Sequence, residues 1–99
     1  MESMADISVE KISENQLMKF RVVVSEQNSQ TEHLVTLNRA DHQRLTDGKI
    51  KPEALIKKSF EFLLEQEPKE SILREFDFTL INRYFPQFKS EIQKRIGVR

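Results

Sequence analysis

The chain contains 99 residues, of which 37% are hydrophobic and 32% charged, and its basic and acidic residues are equal in number. A chain of this length folds as one domain and buries roughly two-thirds of the surface that it exposes when unfolded. The zero net charge argues against a protein that binds nucleic acid mainly through electrostatic attraction. There is no cysteine, which excludes disulfide bonds and thiol chemistry and fits a reducing compartment.

The sequence has no feature of a membrane or secreted protein. No apolar run approaches the roughly 20 residues that are needed to cross a bilayer. Residues 1–16 lack the basic start and the apolar stretch of a secretory signal. We therefore expect a cytoplasmic protein with no membrane partner.

The first segment is polar and has no sustained periodicity. Residues 1–15 are predicted to form a flexible leader, and residues 16–99 a single α+β domain. Three apolar residues within the leader, Ile7, Val9 and Ile12, could form a short helical turn or strand.

Two segments that follow have hydrophobic side chains at alternate positions, which is the period of a half-buried strand. These positions are Met18, Phe20, Val22 and Val24 in the first segment and His33, Val35 and Leu37 in the second. The polar residues from Glu26 to Thr31 supply a turn between them. The pattern predicts an N-terminal two-stranded antiparallel hairpin.

A short helix and a long helix are predicted next. Asn38 is a good N-cap for a helix that runs to about Leu45, and Gly48 can adopt the left-handed conformation that ends it. The longer helix spans Pro52 to Glu67, because proline suits the first helical position.

The longer helix has an unusually wide apolar face. At 100° per residue the arc spans roughly 200°, whereas an ordinary surface helix needs about 100°. Its members are Leu55, Ile56, Ser59, Phe60, Phe62, Leu63 and Leu64. We expect this helix to be covered on two sides, either at the centre of the domain or across a subunit interface.

Short helices are predicted for the rest of the chain. Ile72, Leu73 and Phe76 would form the buried side of one helix after Pro68, and Asp77 would cap another. The last helix begins near Pro86 and ends at Gly97, and its apolar stripe consists of Phe85, Phe88, Ile92 and Ile96. The predicted fold is therefore α+β, with a two-stranded hairpin followed by four or five helices packed on one of its faces.

No residue pattern indicates catalysis. The two histidines, His33 in the second strand and His42 in the short helix, are not spaced with acidic residues as a metal site requires. No serine has the surroundings of a nucleophile, and neither glycine belongs to a phosphate-binding loop. We predict that the protein is not an enzyme and has no cofactor, metal or small-molecule substrate.

Most aromatic residues fall at positions that face the core. Tyr84 and Phe85, beside Pro86, are expected to be partly exposed and to form an apolar recognition patch. The broad face of the long helix adds two further candidate partner contacts, Phe60 and Leu64.

The order of elements from His33 to Glu67 resembles that of ribbon-helix-helix proteins. The strand HLVTL precedes a capped helix, NRADHQRL, and a glycine-containing turn leads to the longer helix PEALIKKSFEFLLEQE. Residues similar in place and type to the start of that family's longer helix are Glu53, Leu55, Ile56, Ser59, Phe62 and Leu63. The resemblance implies an intertwined dimer whose paired strands enter the major groove of DNA.

Two features depart from the pattern of that family. Its strands expose Arg, Lys, Asn or Gln toward base edges, whereas Leu34 and Thr36 hold those positions here. The preceding strand, residues 18–25, can also pair within the chain and occupy the edge that a dimer needs. The candidate DNA contacts are Lys19, Arg21 and Arg39.

The predicted helix at 52–67 has a wider apolar face than a surface helix needs, and the chain has no catalytic motif. Together these features favour a protein–protein interaction module of unknown partner. We expect self-association as a homodimer, through the hairpin or the helix at 52–67. The alternative is a dimeric DNA-binding regulator or antitoxin of the ribbon-helix-helix type. The whole chain also resembles a group of small, uncharacterised bacterial proteins, which implies a prokaryotic source.

Overall fold

In the computed structural model of the protein, residues 5–98 are described. The strands are β1 (Asp6–Ser13), β2 (Leu17–Glu26), β3 (Ser29–Asn38) and β4 (Glu75–Asp77). The α-helices are α1 (Arg39–Thr46), α2 (Pro52–Gln66), α3 (Leu80–Tyr84) and α4 (Phe88–Ile96), and a 3-10 turn spans Lys69–Ser71. Within residues 5–98 no helix combines the length and the apolar character needed to span a membrane.

The four strands form one mixed sheet in the order β1-β2-β3-β4. The first three form an antiparallel meander, and β4 lies parallel to β3 with Phe76 opposite Val35. Parallel neighbours need a long crossover connection, and here α1 and α2 supply it. Buried and partly exposed residues alternate along β2 and β3, so that one face of the sheet meets the core.

The prediction of a two-stranded hairpin was wrong, because a strand is added on each side of it. On one side, residues 6–13 of the predicted leader form β1, where Ile7 lies opposite Val24 and Val9 opposite Val22. Residues 1–4 of that leader lie outside the described residues. A lone hairpin is only marginally stable, and β1 extends the sheet that covers the core.

A lysine conceals β1 in the sequence. Lys11 occupies the third core-facing position after Ile7 and Val9, so that the apolar alternation is broken after two residues. The Lys11 amine lies 3.1 Å from the Glu14 carboxylate and 3.8 Å from that of Glu53. The aliphatic part of the side chain can thus face the core while its charge remains paired at the rim.

On the other side of the hairpin, the segment predicted as a helix from Ile72 to Phe76 contains β4 instead. The Leu34 amide donates to the Arg74 carbonyl at 2.7 Å, and the Phe78 amide donates to the Thr36 carbonyl at 2.8 Å. A three-residue strand has one core-facing side chain, which gives no alternation to detect. The pairing with β3 therefore determines its conformation.

Three predicted helix ends are confirmed, whereas Asp47, with a φ of 56°, is the left-handed C-cap of α1 in place of Gly48. Asn38 Oδ1 accepts a hydrogen bond from the Ala40 amide at 2.8 Å at the start of α1. Proline begins α2 at Pro52. Gly97 follows α4 with a φ of 94°, a left-handed conformation that glycine adopts without steric cost.

The expectation that α2 is covered on two sides is confirmed, and both covers belong to the same chain. The Phe60 ring lies 5.4 Å from His33 of β3, and the Phe62 ring lies 5.2 Å from Phe88 of α4. Six residues of the predicted arc are buried, namely Leu55, Ile56, Ser59, Phe60, Phe62 and Leu63. The width of the apolar face is thus explained within one molecule.

Candidate functional site

An apolar groove lies where the end of α2, the 3-10 turn, β4 and α3 meet. Its volume is about 430 Å³, within the range of about 300–1,000 Å³ typical of ligand sites. We call it the α3 groove, and it is lined by Leu63, Glu67, Ser71, Ile72, Leu73, Phe76, Leu80, Ile81, Tyr84 and Phe85.

Two of the lining side chains project into solvent. Tyr84 is 64% exposed and Leu73 is 45% exposed. Within residues 5–98 the other large hydrophobic side chains with comparable exposure are Ile12 and Leu17, which lie on the strands. Aromatic and aliphatic groups beside a concave apolar floor are typical of a protein-binding surface.

The shortness of α3 explains why Tyr84 is exposed. The helix has five residues, and Ile81 is its buried residue. At Phe85 the backbone leaves the helical conformation, with φ of −128° and ψ of 87°, and Pro86 follows. Tyr84 is therefore the last residue of the helix and remains in solvent, while the chain turns at Phe85, which packs partly against the core.

A buried histidine fixes one wall of the α3 groove. His33 Nδ1 lies 2.7 Å from the Leu73 carbonyl oxygen, and Nε2 lies 2.8 Å from Thr31 Oγ1. A carbonyl can only accept, so Nδ1 carries the proton and donates, while the Thr31 hydroxyl donates to Nε2. Both contacts suit a neutral ring, and burial lowers the pKa of His33 below 6.5. The backbone at Leu73 is thereby held against β3.

His42 also makes a structural contact. Its Nε2 lies 2.7 Å from the Ile50 carbonyl oxygen, which joins α1 to the loop before α2. Within residues 5–98 no group of three or more His, Cys, Asp or Glu side chains is arranged to hold a metal ion.

Glu67 brings a negative charge into the lining of the α3 groove. The residue is half-buried, and it forms no ion pair with any residue in 5–98. Burial raises the pKa of the Glu67 carboxyl above 4.5, because the charged form loses hydration that no neighbouring cation replaces.

The structure separates the four predicted partner contacts. Tyr84 and Phe85 lie together in the α3 groove. Phe60 is fully buried and Leu64 packs against the core from a partly buried position. Phe60 therefore contributes to the core and has no surface to offer a partner.

Leu73 is a groove residue that the sequence analysis assigned to the core. It belongs to no helical stripe in the structure, because the predicted helix around it does not form. No sequence signal marks its exposure, because the adjacent Ile72 is equally hydrophobic and yet is buried.

The candidate DNA contacts are partly neutralised by acidic neighbours. Arg21 Nη1 lies 3.0 Å from Glu10 Oε1, and its Nε lies 2.9 Å from Glu32 Oε2. Arg39 Nη2 lies 2.8 Å from Glu14 Oε2. These pairs reduce the charge that either arginine can offer to a phosphate.

The strand register places Lys19 and Arg21 on the sheet face that points away from the core. The same face carries five acidic residues, Asp6, Glu10, Glu32, Glu75 and Asp77. A surface with this excess of negative charge repels the DNA backbone.

The strand that would pair across a ribbon-helix-helix dimer is β3. β2 pairs with the whole length of one edge, and β4 pairs with residues 34–36 at the other, which is the middle of the segment that a second copy would have to meet. Comparison of the chain with protein-family models, with curated proteins and with solved structures found no match.

Proposed function

We propose that the protein is a protein–protein interaction module that binds an apolar segment of a partner in the α3 groove. The observation that carries the proposal is the position of Leu73 and Tyr84, which are 45% and 64% exposed and line the same concave surface. Interface energy is concentrated in a few such side chains around a pocket that excludes water. Phe85 extends the apolar surface of the groove floor.

The wall of the α3 groove is held in place before any partner arrives. The hydrogen bond from His33 to the Leu73 carbonyl and the pairing of β4 with β3 restrain the segment from 73 to 77. A restrained surface loses little conformational entropy on binding, so that more of the contact energy contributes to affinity.

The surface available for self-association differs from the one expected from the sequence. The apolar residues of α2 are buried by the strands and by α4 of the same chain, and they give no reason for a dimer. The α3 groove is the apolar surface that the proposal assigns to contact with another protein, and a dimer formed through this groove would instead indicate self-association.

The proposal is tested by selecting displayed random peptides against the purified full-length protein. We expect apolar peptides to be recovered, and Leu73→Asp to weaken their binding by about tenfold or more, because a charge in the groove wall must lose its hydration. Tyr84→Ala is expected to weaken binding as well.

The matched control is Leu17→Asp. Leu17 is 47% exposed, close to the 45% of Leu73, but it lies on β2 outside the α3 groove. Peptides that bind wild type and Leu17→Asp alike but fail to bind Leu73→Asp support the proposal. Recovery of no peptide, or of peptides that are indifferent to Leu73→Asp, overturns it.

A further inference from the structure

We infer that the segment bound in the α3 groove carries a lysine or arginine whose charge pairs with Glu67. This inference rests on the proposed function and specifies the chemistry of the partner, a basic and apolar peptide. It is based on the position and the burial of one carboxylate and on the absence of a cation beside it in the described part of the chain, residues 5–98.

The backbone fixes where Glu67 can reach. It is the C-cap of α2, and its amide donates to the Leu63 carbonyl at 3.0 Å. Its φ of −158° and ψ of 158° are extended, so that the chain leaves the helix at this residue. Glu67 thereby joins Leu63 and Ile72 in the lining of the α3 groove.

The acidic residues that flank Glu67 in the chain are paired with cations, whereas Glu67 has no such pair among residues 5–98. Glu65 Oε1 accepts from Arg95 Nη2 at 2.7 Å, and Glu70 Oε2 accepts from Lys69 Nζ at 2.9 Å. Among residues 5–98 no such partner serves Glu67. A carboxylate that is half-buried beside apolar side chains without a cation is held at a cost.

A cation delivered by a partner would remove this cost. An ammonium or guanidinium group makes stronger hydrogen bonds to a carboxylate than a neutral donor does, and the apolar rim of the α3 groove would shield the pair from water. The same carboxylate disfavours an acidic peptide or a fatty acid, because like charges would be brought together in a partly desolvated site. Glu67 thus acts as a specificity determinant while Leu73 and Tyr84 supply apolar contact.

The test is a parallel selection of displayed random peptides against wild type, Glu67→Gln and Glu67→Lys. We expect the wild-type pool to be enriched in Lys and Arg over Asp and Glu, the Glu67→Gln pool to lose this bias, and the Glu67→Lys pool to reverse it. Replacing the basic residue of a selected peptide by Gln should weaken its binding to wild type by about five- to tenfold and leave its binding to Glu67→Gln unchanged.

Glu61→Gln is the control, because Glu61 is an exposed carboxylate on α2 that does not line the α3 groove. It should retain the wild-type preference. If peptides bind wild type and Glu67→Gln alike while Leu73→Asp still abolishes binding, the charge pairing is wrong and the groove assignment stands. If no peptide binds at all, both the charge pairing and the proposed function are wrong. A concentration-dependent dimer that Glu67→Gln abolishes would overturn the peptide in favour of a second copy.

Discussion

At the scale of single residues, His33 links the core to the α3 groove. The sequence places it on the core face of β3, and the structure gives it two hydrogen bonds, to Leu73 and to Thr31. Its ring also packs against Phe60. Because both nitrogens are satisfied in the neutral form, the imidazole fits a site where a lone ionisable group would otherwise be costly.

The neutral state of His33 predicts an acid-sensitive stability. The folded-state pKa is lowered from 6.5, chiefly by burial, so that the unfolded chain binds the proton first as the pH falls. The stabilisation is present in full above pH 6.5 and is lost as the pH falls through the folded pKa. We expect urea unfolding between about pH 5 and 8 to give a free energy that declines on the acid side.

The control for this prediction is His33→Asn, whose side-chain amide can still donate toward the Leu73 carbonyl. It should be less stable than wild type by about 1–3 kcal/mol at neutral pH and should lack the decline below pH 6.5. The carboxyls with lowered pKa, Glu14 and Glu70, act below 4.5 and thus outside this window. Glu67, whose pKa is raised, contributes the opposite slope just above 4.5. An equal decline in wild type and His33→Asn would contradict the assignment.

At the scale of elements, α2 is the centre of the core and the α3 groove is formed at its end. Phe60 lies between His33 and Phe76, with ring centroids 5.4 and 6.1 Å away, while Phe62 packs against α4. The helix therefore joins the sheet to the C-terminal helices. Tyr84, on the short helix α3, remains outside this packing.

The contrast between the buried Phe60 and the exposed Tyr84 predicts different effects on stability when each side chain is truncated. Phe60→Ala should lower the free energy of unfolding by about 3–5 kcal/mol, because it leaves a cavity between α2 and the sheet. Tyr84→Ala should change it by less than about 0.5 kcal/mol while weakening peptide binding. Chemical denaturation measures both values.

Phe60→Leu is the milder variant to measure in case Phe60→Ala does not fold. A small domain has a total stability of about 5–15 kcal/mol, and Phe60→Leu should cost about 1 kcal/mol. A large loss of stability in Tyr84→Ala, or none in Phe60→Ala, would contradict the assignment of Phe60 to the core and Tyr84 to the surface.

At the scale of the whole molecule, the two faces of the sheet differ in character. The core lies between one face of the sheet and the helices, and the other face carries five acidic residues against Lys19 and Arg21. The α3 groove lies at the end of β4, beside the short helix α3. The broad face of α2 is covered without a second chain.

This distribution predicts the behaviour of the purified protein in light scattering. We expect the mass of a single chain at micromolar concentration, because the apolar residues of α2 are buried within that chain. Duplex DNA at low ionic strength should not raise this mass, because the face that bears Lys19 and Arg21 is net acidic. A dimer that Leu73→Asp dissociates would instead assign the groove to self-association. Binding to DNA that weakens steeply with salt would support the regulator of the alternative hypothesis.

Several elements follow from local physics and were predictable from the sequence. The alternation in β2 and β3, the cap at Asn38, the proline that begins α2 and the glycine that follows α4 each act within a few residues. The α+β class follows from these elements, and Tyr84 and Phe85 were identified beside Pro86 because a proline corner limits their burial.

The remainder was decided by contacts between residues far apart in the chain. The apolar residues of β1 were compatible with a helical turn or a strand, and pairing with β2 decided for the strand. β4 is a strand because Phe76 lies opposite Val35 of β3. The wide face of α2 is compatible with burial by its own chain or by another, and only the packing of β3 and α4 against it decided between them. The α3 groove arises where four elements meet. The exposure of Leu73, and the absence of a cation beside Glu67 within residues 5–98, therefore depend on tertiary distances that no local pattern encodes.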